Sequence, residues 1–126
     1  MIRSIALSLF AVLLLLAAPE ALGHGATGTE ATFTGEVLDL ACFMQHPEDG
    51  QGPGHAACAK QCIRKGLPAG LKTDDGTVLL LMGKGHDSIV EQITPLAGKR
   101  AVVTGVRVTS GGLAAIVLTS IAPSDA

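Results

Sequence analysis

The chain has 126 residues, 9 Lys plus Arg against 11 Asp plus Glu, a net charge of -2 and neither Trp nor Tyr. That balance supplies no basic surface for a polyanion and no aromatic platform for stacked bases, so nucleic acid is not an expected partner. The length fits one small domain with a single core.

Arg3 precedes "SIALSLFAVLLLLAA", and no charge follows until Glu20, which is the layout of a secretory signal. The apolar run is shorter than the roughly 20 residues needed to cross a bilayer core, and no later stretch approaches that length. Ala21 and Gly23 occupy the small-residue positions of a cleavage site. Residues 1–23 are therefore expected to be a signal peptide. Its removal would leave a periplasmic or secreted protein that starts at His24 and has no membrane span. Residues 24–31, "HGATGTEA", read as a flexible leader, 32–122 as the domain and 123–126 as a tail.

Along the domain, "TFTGEVLDLACF" (32–43) has an imperfect period of two and predicts a first strand with a glycine bend, ending near Cys42. "MQHPEDGQGPG" (44–54), rich in Gly and Pro, predicts a loop. His55 to Lys65 has neither Gly nor Pro and stops at Gly66, which predicts a helix of about three turns. "LPAGLKTDDGTVLLLMG" predicts a short strand, a turn on "TDDG" and a strand over Thr77 to Met82. Ser88 and Glu91 have capping-box spacing, so a second helix is expected from Ser88 to about Thr94, before Pro95. "KRAVVTGVRVTSGGLAAIVLTSIAP" predicts a closing hairpin turned on "TSGG".

The expected fold is mainly β. Five strands with "L-x-G-K-x-x-V-V-T-G" before the last hairpin resemble a small oligonucleotide/oligosaccharide-binding (OB) barrel, with residues 87–94 as its plug and the cysteine helix as an insertion.

Chemistry concentrates in D-x2-C-x12-H-x2-C-x3-C. On a helix His55, Cys58 and Cys62 fall within roughly 60° of one another. The loop can fold Cys42 and Asp39 toward them. Cys42, His55, Cys58 and Cys62 make a Cys3His set suited to zinc, and thiolate with imidazole also suits copper. Asp39 is expected as a fifth ligand or as a partner to His55. Exported cysteines also pair, and a bridge from Cys42 to Cys58 or Cys62 would be worth about 3 kcal/mol. Three cysteines leave one thiol over in any such bridge, which metal ligation explains and a bridge does not. Cys58 with Cys62 is the labile redox alternative.

Smaller signals have blander readings. His24 could chelate copper with a free amino group, His46 could replace His55, and Met44 or Met82 could give copper a thioether. His86 reads as surface, "GKG" at 83–85 as a turn, and Lys60, Arg64 and Lys65 as charges offsetting the helix macrodipole. No catalytic grouping of Ser, His and acid can be assembled, so an enzyme is not the leading expectation.

"GEVLDLACF", "GHAACAKQCIRKGLPAGL" and "LAGKRAVVTGV" together resemble a group of small exported bacterial proteins of undefined role, marked by D-x-x-C, H-x-x-C-A-x-x-C and G-x-P-x-G-L. The resemblance covers about residues 32–122. It implies that Asp39, Cys42, His55, Cys58, Cys62, Gly66 and Pro68 belong together, and it implies no reaction. The expected function is a small metal-binding module, structural or metal-carrying, with a periplasmic protein as its partner. A thiol-disulfide or electron-transfer protein and a metal-free, disulfide-stapled binding domain are the alternatives.

Overall fold

The computed structural model describes residues 26–125. The expected signal peptide and His24 lie outside the described residues. Among them no helix is long and apolar enough to cross a membrane.

The chain is mainly β: β1 (Glu30–Asp39), α1 (Leu40–Gln45), a 3-10 turn (Pro53–His55), α2 (Ala56–Arg64), β2 (Ala69–Thr73), β3 (Val78–Met82), α3 (Val90–Ile93) with a 3-10 turn (Thr94–Leu96), β4 (Arg100–Ser110) and β5 (Leu113–Pro123). The five strands form one mixed sheet. β1 pairs antiparallel with β2, β2 with β3, and β4 with β5, while β3 pairs parallel with β5. β1 also pairs antiparallel with β4, so the hydrogen bonding runs a closed circuit.

β1 serves both neighbours because it bends. Its first part, from Glu30, lies against β4 and its last part, to Asp39, against β2, with Gly35 opposite both Thr73 and Ala101. A Cβ at Gly35 would lie 2.2 Å from the Lys72 carbonyl oxygen, so only glycine admits this approach. The leader expected to be flexible therefore contributes Glu30 and Ala31 to the sheet. Likewise Pro123 of the expected tail pairs with Ala101.

Alternate residues of the strands, Val37, Leu71, Leu79, Leu81, Ala101, Val103, Ile116 and Leu118, fill the interior. Ala59 and Ile63 of α2 and Ile93 of α3 complete the same core. Ile63 is fully buried, a burial worth about 1.5–3 kcal/mol. α2, expected as an insertion, is thus anchored in the core through Ala59 and Ile63.

Three local expectations are corrected. The first strand stops at Asp39, because its carboxylate accepts the N–H groups of Ala41 (3.0 Å) and Cys42 (3.4 Å) and caps a helix there. Cys42 and Phe43, assigned to the strand, and Met44 and Gln45, assigned to the loop, are all in that helix. His55 ends a 3-10 turn opened by Pro53 rather than starting α2. Finally, the second helix starts at Val90 rather than Ser88; it ends at Ile93 with Thr94 as C-cap, close to the expected stop, and a 3-10 turn follows over Thr94–Leu96, the Thr94 hydroxyl donating to the Val90 carbonyl at 2.6 Å. Ser88 Oγ accepts only a 3.4 Å bond from Val90 N–H, and Ile89 is the capping residue.

Candidate metal centre

Asp39 ends β1 and starts α1, so one residue sets where the strand stops and where Cys42 is displayed. The chain then has to return across α1 to reach α2. It does so at Gly50, whose N–H donates to the His46 carbonyl at 2.7 Å. A Cβ on Gly50 would lie 2.8 Å from backbone atoms of Cys42 and Phe43, so the loop lies directly on the turn that carries the first thiol. Lys72 braces this packing from β2: its Nζ donates to Gln51 Oε1 at 2.6 Å and stands 5.7 Å from the centre of the Phe43 ring. Glu36 accepts the Gly52 N–H from the same side.

α2 carries Cys58 and Cys62, each one residue before the buried Ala59 and Ile63, and His55 stands as its N-cap. Its last turn is closed by Gly66 N–H donating to the Ile63 carbonyl at 2.9 Å and Leu67 N–H to that of Cys62 at 3.1 Å. The Leu40 N–H donates to the Pro68 carbonyl at 2.9 Å, tying the start of α1 to the segment that follows α2.

The result is two donor triads. The ligand atoms of Cys42, Cys58 and Cys62 lie within 4.8 Å of one another, and so do those of Asp39, Cys42 and His55. Cys42 belongs to both. All three cysteines are free thiols, with Cys58 exposed and Cys42 and Cys62 half-buried. Donors on one tetrahedral zinc, with bonds of about 2.0–2.3 Å, stand about 3.3–3.8 Å apart, so each triad is close to the spacing an ion imposes.

The chain matches no protein-family model, no curated protein and no solved structure. The chemistry of the donors is therefore what defines the site.

Asp39 is fully buried, and the one basic side chain it faces within 4.0 Å among the described residues is His55, whose Nε2 stands at that distance from Oδ2. His55 Nε2 is itself buried without a hydrogen-bond partner. The carboxylate already accepts the Ala41 and Cys42 N–H groups, whereas an orphaned imidazole nitrogen is costly unless something satisfies it, and a cation between the two would do so. The same carboxylate holds the nearby thiols protonated. Cys42 is pushed up to about 12, first by its hydrogen bond to Asp39, then by loss of solvent and by the Asp39 charge. Cys62 is also raised, first by loss of solvent and then by Asp39. A bound cation reverses that electrostatic balance.

Other expected ligands lie apart. His46 is exposed and belongs to neither triad, and His86, expected at the surface, is exposed. Met44 is 72 % exposed on α1 and Met82 41 % exposed at the end of β3. Sequence reasoning missed Gly50, Gln51 and Lys72 as the braces of the site. The run "GQG" signalled a loop, but nothing in it indicated that the loop would rest on the Cys42 turn.

Proposed function

We propose that this protein is an exported metal-binding module, periplasmic or secreted, built on an OB-like barrel. Cys42, His55, Cys58 and Cys62 are its ligands, Asp39 is a further ligand or the partner of His55, and zinc or copper is the metal. The observation that carries the reading is the buried Asp39 carboxylate facing the orphaned His55 Nε2 beside three thiols. The strand order β1-β2-β3-β5-β4, with α3 between β3 and β4, supports the OB-like description. The ion would lock α1 and the loop against α2, and the exposed Cys58 leaves one side from which it can be passed to a protein partner. We also read the chain as one of the small exported bacterial proteins that its D-x-x-C and H-x-x-C-A-x-x-C elements resemble.

The test is the metal content of protein purified from the periplasm, alongside Cys58→Ser. The reading expects bound zinc or copper in the native protein and loss of metal from the variant. Metal-free native protein contradicts it.

Proximity of the three sulfurs also favours a second reading, a thiol-disulfide protein in which Cys58 and Cys62 cycle. The raised Cys42 and Cys62 thiols count against it, because the thiolate is the nucleophile in exchange. Thiol counting in denaturant distinguishes the two. Three reactive thiols once a chelator is added favour the metal, and one reactive thiol with or without chelator favours a bridge.

A further inference from the structure

The net charge of -2 averages over an uneven surface. Beside α2 lies a cavity of about 400 Å³ lined by Lys60, Gln61 and Arg64 of that helix and by Lys99, the rest of its lining being alanine. It holds three cations and no acid.

The backbone builds this groove. Lys60 and Arg64 are four residues apart and so share one side of α2. Lys99 is brought to them by Gly98, which packs so closely on α2 that a Cβ there would lie 2.6 Å from the Ala56 Cβ, and whose φ of +70° also calls for glycine. The Gly98 N–H donates to the Val37 carbonyl at 2.8 Å and the Lys99 carbonyl accepts the Val37 N–H at 3.0 Å, so the segment is fixed to β1.

These charges have no use within the described residues. The ion pairs there are Arg100 with Asp74 and His55 with Asp39, so Lys60, Arg64 and Lys99 have no acid within 4.0 Å. The helix macrodipole accounts for Arg64, in the last turn of α2, and not for Lys60 or Lys99. Three cations converging on one concave surface repel one another, and an anionic occupant removes that repulsion.

We propose that this groove docks an extended, acidic segment of a protein partner, whose carboxylates meet Lys60, Arg64 and Lys99. The form of the groove selects that occupant. It continues past Ala56 and Lys99 into a second cavity lined by Glu36, Pro53, Gly98 and Arg100, a length that suits a stretch of chain rather than one compact anion. Glu36 repels carboxylates from that second cavity, and Arg100 there is already paired with Asp74, so the acids of the segment belong at the α2 end. A bilayer contact uses inserted apolar side chains, and the exposed Met44 and Leu113 line a different groove, with Leu40 and Pro68. A nucleic acid uses aromatic stacking, which no residue of either cavity supplies.

α2 also carries the exposed Cys58 thiol. A helix is about 10–12 Å across with its side chains, so a partner on the cationic side lies within one helix diameter of that thiol. Transfer of an ion to the partner rests on the metal-binding reading; the docking surface stands on the charges alone.

The test is an NMR titration of the full 15N-labelled protein as isolated from cells, with and without a chelator, against capped hexaglutamate, with hexaglutamine as the uncharged control. Amide shifts are expected on Ala56–Arg64 and on residues 97–100 in both cases and none with hexaglutamine, with weaker binding at about 150 mM than at about 20 mM salt. Lys60→Gln/Arg64→Gln/Lys99→Gln is expected to lower affinity about tenfold, with circular dichroism confirming the fold. Lys84→Gln, at an exposed position beyond β3, is expected to leave it unchanged. Absence of shifts, or shifts spread equally over Lys72, Lys84 and Arg107, overturns the proposal, and the wild-type map decides this even if the triple variant fails to fold. Tighter binding to a short DNA duplex or to phosphatidylserine vesicles than to hexaglutamate assigns the groove to another class of partner and overturns the proposal as well. None of these outcomes depends on metal content, so the metal-binding reading stands or falls separately.

Discussion

Asp39 Oδ2 stands 4.0 Å from His55 Nε2, with the carboxylate fully buried and the imidazole nitrogen buried without a hydrogen-bond partner. The relationship joins a strand end to a helix start 16 residues away in sequence. Asp39 also caps α1, so the residue has a structural duty and a chemical one, and substitution can separate them.

Asparagine caps a helix about as well as aspartate but carries no charge. Asp39→Asn is therefore expected to keep the thermal stability of the metal-free protein within a few degrees while lowering zinc affinity about 10- to 100-fold. Asp39→Ala should lose the affinity and also about 1 kcal/mol of stability. Competition with a chromophoric chelator and thermal melts read the two effects. An unchanged affinity in Asp39→Asn would remove Asp39 from the centre.

The thiols give a pH dependence whose sign is fixed. Cys42 is raised from 9.0 to about 12, and Cys62 is raised in the same direction. The folded metal-free protein thus retains protons that the unfolded chain releases above 9, so its stability is expected to fall as pH rises from about 9 toward 12. Zinc binding displaces these protons, and affinity should increase with pH through the neutral range. Denaturation midpoints at pH 7 and 10 test the first statement, and zinc competition at pH 6, 7 and 8 the second.

Asp75, in the turn between β2 and β3, behaves in the opposite sense. Thr73 Oγ1 (2.6 Å) and Thr77 N–H (2.9 Å) donate to its carboxylate and lower it from 3.8 to about 2. Its contribution to stability is complete above the unfolded value and is lost as pH falls through about 2. Because the turn is exposed, the effect on overall stability is small. A carboxyl-detected NMR titration should place the Asp75 midpoint near the lowered value. A midpoint close to 4 would show that the turn hydrogen bonds do not persist.

Ile63 tests whether α2 belongs to the core. Its side chain is fully buried among residues of the sheet and of α3. Ile63→Ala is expected to cost about 2–5 kcal/mol in the metal-free protein. Chemical denaturation measures this directly. A cost below 1 kcal/mol would mean that α2 is held by the metal rather than by packing.

The legible parts of the sequence were those with local signals. The β-rich composition of β4 and β5, the "TDDG" and "TSGG" turns and the glycine-free run ending at Gly66 mark elements that the structure contains. The candidate ligand residues were legible because Cys and His are rare here and their spacing matches a helix. What was not legible depended on competition between local preferences. "LDLACF" alternates well enough for a strand, yet the Asp39 side chain captures the next N–H groups and turns the chain into α1. Thr94 stands before a proline, yet it keeps a helical backbone because its hydroxyl bonds to Val90. How the loop and turn hold these groups together was hidden altogether. It depends on His55 lying in a 3-10 turn and on Gly50 laying the loop over Cys42, neither of which residue spacing reveals.

X-ray absorption at the metal edge of protein isolated from cells tests the ligand set most directly. The account predicts a shell of sulfur at about 2.3 Å accompanied by nitrogen or oxygen at about 2.0–2.1 Å, with the sulfur shell reduced in Cys42→Ser. A bound metal surrounded by light atoms alone, or isolated protein with no metal edge, would contradict it.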